Sequence, residues 1–201
     1  MKRPLLIGIS GNIGSGKSSF CALLESSGLR VVYADRVAEK HLFDLQDVWV
    51  QRWGRGILSD GVPDKKKIAS IVFDNQEERS YLNQRIHSLV LQDFQHSVET
   101  CDEAVLCFEI PLLYEVGLQD CFDYLVLISV RRDIALRRIA KRDKSSESEI
   151  IKRLEAQMPD DRKHADLMID NSGSRAELEA QASRFIISIA SLSYRTVRPF
   201  C

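Results

Sequence analysis

The chain has 201 residues, 44% of them hydrophobic and 28% charged, which excludes a disordered polymer, a collagen-like chain and a disulfide-built miniprotein. Its 28 basic and 29 acidic side chains leave a net charge of -1, so bulk charge draws it to neither nucleic acid nor membrane, and any anion site must be local. A chain of this length reads as one domain carrying inserted subdomains and needs no metal or disulfide staple.

The first element is Leu5-Leu6-Ile7-Gly8-Ile9, a continuous apolar run that suits a strand buried on both faces of a parallel sheet. Lys2 and Arg3 before it imitate a secretory signal, but the apolar stretch closes at Ser10 and Gly11, short of the usual h-region of about 7–15 residues. A helix is predicted over residues 18–27, with Phe20, Leu23 and Leu24 on one face and Gly28 at its C-terminal end. Val31-Val32-Tyr33-Ala34 is a second strand and ends at Asp35. From Arg36 to Cys101 no strand pattern appears. Leu82, Ile86, Leu89, Val90 and Phe94 recur there at helical spacing over residues 77–100, and Trp49 and Trp53 read as packing residues. Ser59-Asp60-Gly61-Val62-Pro63-Asp64 is a turn cluster, with Asp64 placed to cap a helix from Lys65.

The apolar runs 104–108 and 124–130 supply two more strands, the first ending at Glu109. The second is far too short to span a membrane. Ser146 and Glu149 form a capping box that opens a helix, which Pro159 is expected to stop. Leu167-Met168-Ile169 is a fifth strand, followed by Asp170. Strands alternating with helical stretches predict a three-layer α/β domain with a five-stranded parallel sheet. Its core is residues 1–35, 101–137 and 160–201, interrupted by helical insertions at 36–100 and 138–159. Cysteines 21, 101, 107, 121 and 201 are odd in number and without C-x-x-C spacing, so reduced, mostly buried thiols in a cytoplasmic protein are expected. His41, His87, His96 and His164 show no metal spacing.

Residues 11–18, Gly-Asn-Ile-Gly-Ser-Gly-Lys-Ser, fit the phosphate-loop pattern G-x-x-x-x-G-K-[ST], with a buried strand before and a helix after. Glycines let the backbone curl so that successive N–H groups face a phosphate, and the helix N-terminus adds partial positive charge. Lys17 is expected at the β- and γ-phosphates and the Ser18 hydroxyl on magnesium. This is a nucleoside triphosphate site. Asp35, Glu109 and Asp170 each follow an apolar run, so their carboxylates are expected at the carboxyl ends of the strands around the loop. An N-cap or a loop turn is the ordinary alternative for each, weakest for Asp35, which suits a base for an attacking hydroxyl. Glu109 stands where an acid would hold magnesium or its waters.

Between Arg131 and Lys144, seven of fourteen residues are basic. Arg138 and Arg142 share a helix face with no acid at i±4, so phosphoryl oxygens are their expected counter-charge and residues 138–159 a closing lid. An ordinary solvated basic face is the alternative.

With these residues in place, the sequence closely resembles the bacterial dephospho-coenzyme A kinase family, from about residue 5 to 173. The resemblance rests on the phosphate loop, Ala34-Asp35, Gly54, Ile57-Leu58 with Asp60-Gly61, and Ile71-Val72-Phe73. It continues through Leu82-Asn83 with Ile86-His87, Ile110-Pro111-Leu112-Leu113-Tyr114-Glu115, Arg138, Arg142, Arg153, Ala156-Gln157-Met158-Pro159 and Ala165-Asp166 with Ile169-Asp170-Asn171 and Gly173. It implies a P-loop kinase that transfers phosphate from ATP, with Mg2+, to the ribose 3′-hydroxyl of dephospho-coenzyme A, the last step of coenzyme A synthesis. The implied nucleotide set is Asn12, Ile13, Gly14, Ser15, Gly16, Lys17, Ser18 and Ser19 with Arg138, Arg142 and, near the adenine, Asn171. Asp35, Lys17 and Arg142 are the implied catalytic residues. Asp35, His87, Pro111, Leu112 and Leu113, with the 36–100 insertion, form the implied acceptor side. Ser88 and Lys65-Lys66-Lys67 depart from the family pattern at the acceptor side. A monomer or weak homo-oligomer without nucleic-acid or membrane partners is expected.

Three other readings compete. A nucleoside monophosphate kinase would share the loop and the fold. A GTPase switch has its D-x-x-G at residues 170–173 but lacks N-K-x-D. A regulatory nucleotide-binding module without turnover would need neither the acid nor the arginines.

Overall fold

A computed structural model describes residues 3–73, 75–143, 146–198 and 200. Lys2, Lys144 and Cys201, named above, and Ser145, within the 138–159 insertion, lie outside these. In chain order the elements are β1 (Leu5–Ser10), α1 (Lys17–Ser26), β2 (Arg30–Tyr33), α2 (Ala34–Asp44), α3 (Gln46–Trp53), β3 (Leu58–Ser59), β4 (Val62–Pro63), α4 (Lys65–Phe73) and α5 (Gln76–Glu99). They continue with β5 (Val105–Glu109), β6 (Tyr124–Ser129), α6 (Arg132–Asp143), α7 (Glu147–Glu155), β7 (Leu167–Asp170) and α8 (Arg175–Ser188). Two compact units result: one runs to Tyr33 and resumes at Thr100, the other comprises Ala34–Glu99 with Phe200.

The first unit holds a five-stranded sheet in the order β2-β5-β1-β6-β7, every neighbour parallel. β1 lies at its centre because all six of its residues are buried, and only a strand covered on both faces tolerates that sequence. Leu5, Ile7 and Ile9 pack with Phe20 and Leu24 of α1 and with Leu178, Ala182 and Phe185 of α8. The Phe20 and Phe185 rings meet at 5.9 Å. A Cβ at Gly8, which faces the other way, would press on Phe122 and Leu125 at 2.9 Å. Among the described residues, Cys21, Cys107 and Cys121 are buried thiols and Cys101 is half-buried.

The second unit is helical around Trp49, Ile57 and Ile68. Trp49 is fully buried, donates Nε1–H to the Leu42 carbonyl at 2.8 Å and stacks on Trp53 at 5.4 Å. Asp64 caps α4, its Oδ1 accepting the N–H groups of Lys66 at 2.8 Å and Lys67 at 3.3 Å. The expectation of no strand between Arg36 and Cys101 fails at one place. β3 and β4 pair antiparallel across Asp60 (φ 51°) and Gly61 (φ 81°). Two positive-φ residues with the sequence Asp-Gly make a type I′ hairpin turn. Two-residue strands are too short to show a period, so only the turn was legible.

Another boundary also shifts. The α7 capping box forms as read, Ser146 Oγ accepting the Glu149 N–H at 3.4 Å while Glu149 Oε2 accepts the Ser146 N–H at 2.9 Å. The helix, however, ends at Glu155 rather than running to Pro159. Gln157 and Met158 leave it to make tertiary hydrogen bonds, and a residue before proline disfavours helical backbone.

Candidate active site

The turn from β1 into α1 is the phosphate loop, at the carboxyl end of the central strand, where open α/β sheets bind ligands. Its fold follows from its own backbone: the Ser15 N–H donates to the Asn12 carbonyl at 3.1 Å, and Gly16 precedes α1 at φ 89° in the left-handed region. Glycine is required at position 16 for a second reason. A Cβ there would collide with Nδ2 of Asn171, the residue after β7. Asn171 is 6% exposed and donates Nδ2–H to the Ser15 carbonyl at 2.7 Å, while its own N–H is held by the Ser129 carbonyl at 2.9 Å. Asn171 therefore props the loop directly, beyond the adenine-side place the resemblance implies.

Lys17 is buried, and its Nζ donates to the carbonyls of Gly11 at 2.7 Å and Asn12 at 3.4 Å. Ser18 and Ser19 are exposed on the first turn of α1. A cavity of about 540 Å³ opens beside them, lined by Gly16, Ser18, Ser19, Arg138, Asn171 and Arg175 among others. Two buried atoms of the loop region lack hydrogen-bond partners: Oγ of Ser15, beside Gly11, and Nη1 of Arg138 at the cavity, 3.7 Å from where a Gly16 Cβ would stand. A desolvated guanidinium N–H without an acceptor is costly, and a phosphate oxygen is the acceptor its surroundings fit.

Arg142 departs from expectation. It forms a two-pronged pair with Asp143, Nε to Oδ1 at 2.5 Å and Nη2 to Oδ2 at 3.0 Å, and Arg153 of α7 reaches the same carboxylate at 2.7 Å. The hydrogen bonds from Arg142, then the one from Arg153, hold the Asp143 carboxyl well below the usual range. Asp143 is the next residue in the chain and Arg153 comes from another helix, so neither contact has i±4 spacing. Arg137 does have such an acid, pairing with Asp133 at 2.8 Å, and Arg132 pairs with Glu155 at 3.3 Å. Much of the basic run is thus balanced within the fold, and Arg138 is the arginine aimed at the loop.

Glu109 is 4% exposed at the end of β5, in register with Ile9 on one side and Tyr33 on the other. Asp170 is exposed at the end of β7. Its Oδ1 accepts the Ser172 N–H at 2.9 Å, so it shapes the turn after β7, the ordinary alternative. Pro111 is half-buried and its carbonyl accepts the Ser10 hydroxyl at 3.3 Å. Leu112 is 46% exposed, whereas Leu113 is fully buried and serves packing rather than an acceptor surface. In the second unit, Asp35 is exposed in the first turn of α2 and His87 is exposed on α5.

Two loop contacts had no forerunner in the sequence as site residues. The Ile13 N–H donates to Gln157 Oε1 at 2.7 Å, and Lys163 Nζ donates to Asn12 Oδ1 at 2.5 Å. Both partners lie over 140 positions along the chain, and Lys163 sits in a charged stretch that reads as surface.

A family model described as dephospho-CoA kinase matches residues 5–177. The dephospho-CoA kinase of Helicobacter pylori is 34% identical over 187 residues, covering 90% of this chain and 95% of that protein. That of Geobacillus kaustophilus is 37% identical over 186 residues, covering 88% and 92%. Among solved structures, TT1252 from Thermus thermophilus superposes with a TM-score of 0.81 at 30% identity, covering 94% of this chain and 99% of its own. The dephospho-CoA kinase from Campylobacter jejuni gives 0.71 at 26%, covering 92% and 97%. A shikimate kinase from Acinetobacter baumannii, at 14% identity and a TM-score of 0.52, shares the fold alone.

Proposed function

The chain belongs to the dephospho-CoA kinase family, and we propose which residues carry its reaction and where on the acceptor it acts. It phosphorylates dephospho-CoA with ATP in coenzyme A synthesis. The hydroxyl we assign as acceptor is the ribose 3′-hydroxyl, and the setting we assign is the cytoplasm, which the free thiols fit. Among the described residues, no helix is long and apolar enough to cross a membrane.

The observation that carries the nucleotide assignment is the buried, unpartnered Nη1 of Arg138 facing the Gly16 turn. Backbone N–H groups of the loop and the α1 N-terminus cradle the β- and γ-phosphates, and Lys17 exchanges its loop carbonyls for them. Arg138 neutralises charge that builds on the phosphoryl oxygens during transfer. Arg142 reaches the same oxygens only by leaving Asp143.

Asp35 is the base. It follows by two residues the strand end Tyr33, which is in register with Glu109 and through it with Ile9 of the loop strand. Its carboxylate takes the proton of the attacking hydroxyl as that oxygen bonds the γ-phosphorus and ADP departs. His87, Pro111 and exposed Leu112 are the acceptor-side residues. The Ser18 hydroxyl and the Glu109 carboxylate are hard oxygen donors that would hold magnesium or its bound water. When bound, the ion offsets phosphate charge.

A screen of acceptors with ATP and magnesium tests this reading. Dephospho-CoA is expected to be phosphorylated at the 3′ position and nucleoside monophosphates left unchanged. Preferential turnover of a nucleoside monophosphate would overturn it.

A further inference from the structure

Lys163 is a buried cation that the reaction scheme leaves unused. Its side chain is fully buried, and its Nζ donates to Asn12 Oδ1 at 2.5 Å and to Asp160 Oδ1 at 3.3 Å. Taking an ammonium out of water is expensive, and for packing alone an apolar residue of similar volume serves as well or better. The direction of its contacts therefore matters.

Asn12 is the hub of the loop. Its carbonyl accepts the Ser15 N–H at 3.1 Å and Lys17 Nζ at 3.4 Å, so its placement closes the turn that carries the loop into α1. Its side-chain oxygen is gripped by Lys163. The segment that carries Lys163 is itself fastened on two sides. Gln157 takes the Ile13 N–H at 2.7 Å. On the side of the loop after β5, the Met158 N–H donates to Glu115 Oε1 at 2.9 Å, and the Tyr114 hydroxyl donates to the His164 carbonyl at 2.8 Å. Burial first, and then the nearby Asp166, push the Tyr114 phenol up to about 12, so it remains a neutral donor. Lys163 Nζ lies 6.0 Å from the centre of the Tyr114 ring.

We propose that Lys163 is a positioning residue for phosphate binding, acting through Asn12 to hold the loop turn that the Ser15 N–H closes on the Asn12 carbonyl. The inference rests on the nucleotide reading of the loop. Removing the ammonium frees Asn12, and the loop then samples states that do not bind phosphate.

The test is ADP titration by calorimetry on full-length wild type, Lys163→Met, Asn12→Ala and the double variant, each checked for folding by circular dichroism. Losing a hydrogen bond to a charged group is expected to weaken ADP binding about 10-fold or more in either single variant. The double variant is expected to lose little more than either one, since both remove the same link. In turnover, KM for ATP rises about as much in Lys163→Met, while KM for dephospho-CoA stays within about 2-fold, a split that a general loss of stability would not produce. ADP affinity within about 2-fold of wild type in folded Lys163→Met, or additive losses in the double variant, overturns the proposal. Should Lys163→Met not fold, Asn12→Ala decides alone, with unchanged ADP affinity as the overturning result. Wild-type turnover of dephospho-CoA is a separate arm: its failure refutes the function and leaves the ADP titrations to judge Lys163.

Discussion

Gly16→Ala is expected to disable nucleotide binding while leaving the sheet folded. Two terms add. Position 16 sits at φ 89° and ψ 25°, where an L-residue is strained by about 1–2 kcal/mol. The new Cβ would also occupy the place of Asn171 Nδ2, so that amide must swing away and give up its 2.7 Å bond to the Ser15 carbonyl. A net buried hydrogen bond is worth about 1 kcal/mol. Together these bias the loop against its binding form by about 2–3 kcal/mol, which is roughly 30- to 150-fold in apparent ADP affinity. The control is Gly61→Ala in the β3–β4 turn, where φ is 81° but nothing lies within 4 Å of the added methyl. It carries the strain term alone, lowering stability by about 1–2 kcal/mol with ADP affinity unchanged. Calorimetric titration of both variants, with urea melts alongside, separates the effects. A folded Gly16→Ala variant that binds ADP within about 3-fold of wild type would refute the collision argument.

Lys17→Met should lower kcat/KM by about 10²–10³ with the far-ultraviolet circular dichroism spectrum preserved, the loss expected when a group that stabilises transferring charge is removed. Asp35→Asn should keep ADP binding and reduce kcat by about 10²–10⁴, measured by coupled assay; a collapse of dephospho-CoA affinity with unchanged kcat would make Asp35 a positioning residue instead. Arg138→Met should reduce kcat more than Arg142→Ala, because Arg138 carries an unpaired buried N–H while Arg142 is already engaged by Asp143. Equal effects in steady-state kinetics would restore Arg142 to a matching role. Asp123 predicts acid sensitivity: burial alone would raise its pKa, but hydrogen bonds from Arg3 and the N–H groups of Leu6 and Arg195 outweigh that and lower it. A carboxyl depressed in the folded state contributes stability present above its unfolded value near 4, lost as pH falls through the folded pKa. Urea melts of wild type should therefore weaken below about pH 4, and Asp123→Asn should flatten that decline.

The parts of this protein that were legible in the chain share a physical property: their signals are local. A strand buried on both faces must be continuously apolar, as Leu5-Leu6-Ile7-Gly8-Ile9 is, and a phosphate loop needs glycines and Lys17 at set intervals. Asp64 and Ser146 declare helix starts because a cap bonds to residues two or three positions on. Fold class, loop and family follow from such runs and spacings.

Tertiary structure alone decided which of these residues meet. The strand order that puts Glu109 beside Ile9, the Asn171 amide under the loop, the Asp143 carboxylate between Arg142 and Arg153, and the buried Lys163 on Asn12 all join residues from separate elements. Asp170 and Asn171 show the division most plainly. Adjacent in the chain and both polar, one turns its carboxylate back on Ser172 while the other enters the site. Strand alternation sends neighbouring side chains to opposite faces, but which face is packed against the phosphate loop depends on where β7 pairs in the sheet, and that register is set by contacts distant in sequence.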